Sequence, residues 1–208
     1  MIMILGMKFK KVEKVYLHRK NQHQKDLLIE VKNMKIGFCG TMSVGKTTLV
    51  NALKELPEFK NYNFRTERSK YLMEMGIPLN TDSTLKGQLV FAAERASELM
   101  QENIITDRTV VDVIAFANLS TSMAQGEKFY LGATIQPLMN EYDILFYISP
   151  EGVEIEDNGV RETNADYRIA IDKEIQSIIR MHRSNTPTIK GTIEERIKQV
   201  KNTLVQYV

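Results

Sequence analysis

The sequence predicts an α/β fold in which mostly parallel strands alternate with helices on both faces of one sheet. Two observations carry this. Short apolar runs recur along the chain, and each is followed by a stretch with helical spacing of its apolar residues. The 208 residues are 43% hydrophobic and 26% charged, enough to bury one continuous core. That composition excludes a chain disordered throughout, a collagen-like repeat and a disulfide-built scaffold. The one cysteine, Cys39, can form no internal disulfide, which fits a reducing compartment. The apolar stretch at residues 1–7 is too short for a secretory signal and is followed by lysines. No uncharged run approaches the roughly 20 residues a membrane span needs. A cytoplasmic protein without membrane attachment is expected.

Charge divides the chain. Residues 1–33 hold eight basic residues against Glu13, Asp26 and Glu30, a net +5, whereas residues 34–208 carry 20 basic against 23 acidic, a net −3. The first 33 residues therefore read as a basic, weakly ordered extension, and residues 34–208 as one domain. A mildly acidic body is a poor nonspecific binder of nucleic acid, because such binding displaces counterions with Lys and Arg.

The elements follow in order. Residues 35–39 (Lys-Ile-Gly-Phe-Cys) suit a buried strand, and Lys46 to Leu56 a helix with Leu49, Val50 and Leu53 on one side, ended by Pro57. Residues 62–66 form a second strand and residues 69–75 a short helix closed by Gly76 and Pro78. Residues 81–83 (Thr-Asp-Ser) cap a long helix running to about Glu102, with Leu85, Leu89, Ala92, Ala96 and Leu99 as its apolar stripe. A third strand, residues 104–107, ends in Asp107. Helices are expected at 110–119 and 133–140, a fourth strand at 144–148, a polar lid-like loop around 151–168, and a helix at 169–181. A short fifth strand at 186–189 precedes a last helix capped by Thr192, with Ile193, Ile197, Val200 and Leu204 buried.

The strongest motif is Gly40-Thr41-Met42-Ser43-Val44-Gly45-Lys46-Thr47, which fits G-x-x-x-x-G-K-[ST] at every fixed position, after a strand and opening a helix. Glycines let successive backbone N–H groups turn inward onto phosphate oxygens, and the helix N-terminus adds partial positive charge. Residues 40–48, through Thr48, are expected to cradle a nucleoside triphosphate. Lys46 would bridge its β- and γ-phosphates, and the Thr47 hydroxyl would coordinate Mg²⁺. Cys39, at the strand end, has no paired base in the sequence pattern and reads as packed rather than reactive. His18, His23 and His182 show no metal-ligand spacing.

Strand ends are where open α/β sheets hold their ligands. Here Thr66-Glu67-Arg68-Ser69 follows the second strand and Asp107-Arg108-Thr109 the third, with Asp112 close behind. With the phosphate loop, these residues resemble the P-loop nucleoside and nucleotide kinases. The closest likeness is to the branch that holds the kinase domain of nicotinamide-riboside kinases and small phage-encoded ATPase-like kinases. The resemblance covers Met34 to the C-terminus and implies a P-loop NTPase fold, a five-stranded parallel sheet in the order 2-3-1-4-5. It implies that Asp107 helps hold Mg²⁺ or positions the acceptor, that Arg108 contacts acceptor or transferring phosphoryl group, and that Glu67 is the base toward an acceptor hydroxyl. Arg68 would hold the phosphate of a monophosphate acceptor, and Gln88 would pair with a base edge. Arg161 and Arg168 would be lid arginines, and Lys190 with Gly191 would lie where this fold cradles adenine.

The expected activity is ATP- and Mg²⁺-dependent phosphoryl transfer to a small nucleoside or nucleoside monophosphate, in a chain compatible with a homodimer. A regulatory ATPase or nucleotide switch, and a polynucleotide 5′-end kinase, are the alternatives. No Asn/Thr-Lys-x-Asp guanine signature supports a switch, and the acidic body opposes a nucleic-acid substrate.

Overall fold

Five strands, β1 (Lys35–Cys39), β2 (Asn63–Arg65), β3 (Ile104–Asp107), β4 (Ile144–Ile148) and β5 (Thr188–Ile189), form one sheet in the order β2-β3-β1-β4-β5. Every pairing is parallel. The computed structural model describes residues 34–66, 68–153 and 164–206. The order is the one the motifs implied. The three central strands are apolar on both faces because helices cover both, as parallel sheets require. β4 is buried along its whole length, whereas the edge strand β2 exposes Asn63 and Arg65 around a half-buried Phe64.

Seven helices connect the strands among the described residues: α1 (Lys46–Lys54), α2 (Ser69–Glu74), α3 (Leu85–Leu99), α4 (Val110–Asn118), α5 (Gln125–Ile135), α6 (Ala165–His182) and α7 (Ile193–Gln206). The period-2 alternation of β1 decides which helix meets which face. Ile36 and Phe38 point toward α1 and α7, packing with Leu49, Leu53, Val200 and Leu204. Cys39 points the other way, into the core formed with α3, α4, α5 and α6, where Val111, Ala115, Leu131, Ile171 and Ile175 lie. Phe38 and Phe146, on adjacent strands, stack with centroids 5.2 Å apart. The register pairs Phe38 with both Asp107 and Phe146, so the residue ending β3 lies beside β1 one residue before that strand ends.

Several expected boundaries shift, each for a local reason. Thr84, not residues 81–83, caps α3 by accepting from the Gly87 N–H, and Asn80–Asp82 instead makes a 3₁₀ turn. The buried stripe of α3 is also rotated: Gln88, Phe91, Ala92, Arg95, Glu98 and Leu99 are buried, and Leu89 is 49% exposed. The helix expected at 133–140 is α5, which starts at Gln125 and stops at Ile135. Glu127 turns back to accept from the Ala124 N–H at 2.8 Å, and Pro137 forces the continuation into a 3₁₀ turn, residues Gln136–Glu141. In α7 the stripe of Val200 and Leu204 includes a buried Arg196. No helix among the described residues is long and apolar enough to cross a membrane.

The Phe38–Phe146 stack sits at the centre of the sheet and is fully buried. Phe38→Ala should cost about 3–5 kcal/mol of unfolding free energy in urea melts. Met100→Ala, at an 86% exposed position, should change it by less than about 0.5 kcal/mol.

Candidate active site

The phosphate loop begins where β1 stops hydrogen bonding. Gly40 has φ +154°, and a side chain there would place its Cβ 2.8 Å from the Ile148 carbonyl oxygen of β4. Gly45 closes the loop in the left-handed region (φ 79°) and caps α1, so the first helical residue is Lys46. Between them Thr41, Met42, Ser43 and Val44 are buried. The Lys46 ammonium turns back over the loop and donates to the carbonyls of Gly40 at 2.6 Å and Thr41 at 2.8 Å. It is only 7% exposed. Thr48 faces solvent in the first turn of α1.

Arg168, in the first turn of α6, reaches over the same loop. Its Nε donates to the Met42 carbonyl at 3.2 Å, its Nη2 to Ser43 at 3.4 Å and its Nη1 to Val153 at 2.9 Å. Thr41 Oγ1 donates in return to the Arg168 carbonyl at 3.1 Å. Partial burial pulls the guanidinium below its ordinary pKa, and the Asp172 carboxylate one turn later opposes that. Asp172 is itself held: Tyr147 OH donates to its Oδ1 at 2.8 Å, and Gln176 donates to its Oδ2 at 2.8 Å and to Tyr147 OH at 2.9 Å. This network fixes α6 to β4 and so fixes the turn that carries Arg168.

Thr47 Oγ1 donates to Asp107 Oδ2. A hydroxyl and a carboxylate in contact form an all-oxygen donor pair suited to Mg²⁺, which takes one or two protein oxygens and fills its octahedron with water and phosphate. No group of three or more His, Cys, Asp or Glu able to hold a metal occurs among the described residues. Cys39 Sγ donates to the Phe146 carbonyl at 3.4 Å, and burial pushes its pKa well up, which makes the thiol inert.

A pocket opens beside the loop. Its polar lining includes Gln88 and Arg95 from α3, Arg108 from the β3–α4 turn and Asp112 from α4, together with Ser69 and Asn80, and its apolar lining includes Phe91 and Phe116. Arg108 takes φ +97°, a conformation that costs a non-glycine residue about 1–3 kcal/mol. That turn keeps its N–H on the Phe38 carbonyl at 3.0 Å and sets its guanidinium 4.9 Å above the Phe116 ring. Arg95 is 2% exposed and donates to Glu98 Oε1 at 2.7 Å, with Glu94 at 3.5 Å. Burial raises the Glu98 carboxyl, against the pull of Arg95.

The profile of a family described as an AAA domain matches residues 35–196. The chain belongs to that family. Solved structures agree on the fold. Deoxyadenosine kinase from M. mycoides, with dCMP and dCDP, superposes with a TM-score of 0.59 at 18% identity, covering 84% of this chain and 100% of that one. Thymidylate kinase from Candida albicans gives a TM-score of 0.60 at 15% identity, covering 84% and 92%. The NadR protein in complex with NR gives 0.64 at 16% identity, covering 84% of this chain and 52% of that one. No curated protein matches the chain. The fold is thus that of the P-loop nucleoside and nucleotide kinases, as the motifs implied.

In this AAA domain the expected site residues fall into three groups. Residues 40–47, with Asp107 and Arg168 in contact with them, adjoin the pocket that Arg108 and Gln88 line, whereas Thr48 faces solvent. Arg68 is not in the pocket lining: it pairs with Glu94 at 3.4 Å and lies 4.6 Å over the Tyr71 ring. Lys190 is exposed and pairs with Glu151 at 3.2 Å, and the Gly191 carbonyl accepts from Arg196 Nε at 2.8 Å. Glu67, Arg161, residues 1–33 and residues 154–163 of the expected lid lie outside the described residues.

Three residues of the AAA domain carry site contacts that the motifs did not assign. Arg95 lines the pocket, and Asp112 lines it while bonding to the loop. Arg196 donates from Nη1 to the Val44 carbonyl and so ties α7 to the loop. Arg95 was legible in one respect: it lies seven residues, two helical turns, after Gln88, on the same helix face. Arg108→Gly should separate function from stability. Glycine relieves the positive φ while removing the guanidinium. The melting temperature should therefore hold or rise, while phosphoryl transfer falls at least about 10²-fold.

Proposed function

We propose that the chain is a Mg²⁺- and ATP-dependent kinase of nucleosides or nucleoside monophosphates. The observation that carries this reading is one turn serving two sites. Asp107 meets the Thr47 hydroxyl of the phosphate loop, and the next residue, Arg108, walls the polar pocket. A donor phosphate on the loop and an acceptor in the pocket would then face each other across a single peptide. The pocket's amides, guanidiniums and two aromatic rings are groups that pair with and stack on a flat, polar heterocycle.

The chemistry asked of the protein is positioning and charge stabilisation. An acceptor oxygen attacks the γ-phosphorus as the bond to the β–γ bridging oxygen breaks, releasing ADP. Lys46 moves from the Gly40 and Thr41 carbonyls to the β- and γ-phosphates. Thr47 and Asp107 would hold Mg²⁺, which neutralises charge on the β- and γ-oxygens. Arg168 is already placed over the loop, and with Arg161 would meet charge on the transferring group. Arg108 would orient the acceptor and Gln88 its base. In the nucleoside case Glu67 takes the hydroxyl proton. A monophosphate acceptor carries no such proton and would draw Arg68 away from Glu94. Lys190 and Gly191 would border the adenine of the donor.

Incubation with ATP·Mg²⁺ and a panel of nucleosides, nucleoside monophosphates and 5′-hydroxyl oligonucleotides tests this reading. ADP should form only with a small acceptor, and the phosphate should appear on it. Acceptor-independent ADP would make the chain an ATPase, and labelled oligonucleotide a polynucleotide kinase. Lys46→Ala should lose at least about 10²-fold in transfer with an unchanged far-UV spectrum. Near-normal activity would mean that the site lies elsewhere.

A further inference from the structure

Asp112 does more than its place in the helix requires. It is the third residue of α4, where a carboxylate commonly closes a capping box. One oxygen does that: Oδ2 accepts from the Thr109 N–H at 2.7 Å and from Thr109 Oγ1 at 2.9 Å. The other oxygen, Oδ1, crosses to a segment 72 residues away and accepts from the Gly40 N–H at 3.1 Å. Asp112 is 1% exposed and also walls the pocket beside Arg108. With three donors on it, its carboxylate is spent on backbone and cap.

Gly40 is held on three sides. The Ile148 carbonyl crowds the side where a Cβ would stand, and Asp112 holds its N–H. Its own carbonyl accepts from Lys46 Nζ at 2.6 Å. One residue thus joins two hydrogen bonds in series, from the carboxylate on the pocket wall to the ammonium on the phosphate loop. Moving the first turn of α4 moves Oδ1, and the entry of the loop moves with it.

We propose that Asp112 is a positioning residue for the phosphate loop: through the Gly40 N–H it fixes the loop entry from the acceptor side of the site. The proposal rests on the reading of residues 40–48 as the nucleotide phosphate site. Both oxygens face N–H donors, so the isosteric Asp112→Asn must turn its amide NH₂ toward one of them and fails as a replacement. Thr109→Ala is the control. It removes the hydroxyl bond to Oδ2 and the cap on the Val111 N–H, but leaves Oδ1 on Gly40.

The test is calorimetric titration of the full chain with ADP·Mg²⁺, beside thermal melts of each variant. Wild type should bind and Lys46→Ala should bind at least tenfold more weakly. If wild type does not bind ADP, the reading of the loop fails and the proposal with it. If both of those results hold, Asp112→Asn and Asp112→Ala should each lose at least tenfold in affinity. Thr109→Ala should lower the melting temperature yet stay within about threefold of wild-type affinity. Asp112 variants that bind ADP as wild type does would overturn the proposal. So would Thr109→Ala losing affinity in step with its stability, or Asp112 variants with no cooperative melt, since each makes Asp112 a fold residue only.

Discussion

At Gly40 the chain leaves β1 with a backbone that tolerates no side chain, and the site is laid out from that turn. The carbonyl of Ile148 presses on one side, the carboxylate of Asp112 takes the N–H, and the Lys46 ammonium takes the carbonyl. The loop can curl tightly here because the strand before it is clamped between two parallel neighbours and cannot drift. The sheet supplies rigidity, and the glycine turns the chain from that fixed strand into the loop that leads to the N-terminus of α1.

Around this turn the structure gathers cations and buries polar groups at some cost. Arg168 and Arg196 approach the loop from α6 and α7, each anchored on its carbonyls. Arg95 and Glu98 lie in the sheet-facing stripe of α3, where packed apolar side chains would serve stability as well or better. Arg108 keeps a left-handed backbone that another sequence would avoid. Of these residues, Arg95 and Arg108 line the pocket.

Local chemistry is legible in the sequence. The eight residues from Gly40 to Thr47 declare a loop between strand and helix, because each fixed type answers a need met within a few residues. Asp107 and Arg108 were visible as a strand-end pair for the same reason. The stripe of α3 was misjudged because Leu89 and Ala96 look like core residues by type. The helix rolls to bury Gln88, Arg95 and Glu98 instead, with Arg95 paired to Glu98 and Glu94 of the same helix. The pairing of Arg68 with Glu94, on a helix more than 20 residues away, is a contact that no local pattern announces.

What the sequence alone determined is the α/β alternation, the phosphate loop and the likeness to P-loop kinases, since hydrophobic period and loop chemistry are properties of short segments. Tertiary structure decided which polar groups meet. Asp112 with Gly40, Arg196 with Val44, and Arg168 with Met42 and Ser43 are pairs separated by 72 residues or more along the chain. A hydrogen bond across such a gap follows from the packing of whole helices on a sheet, and no spacing within one segment encodes it.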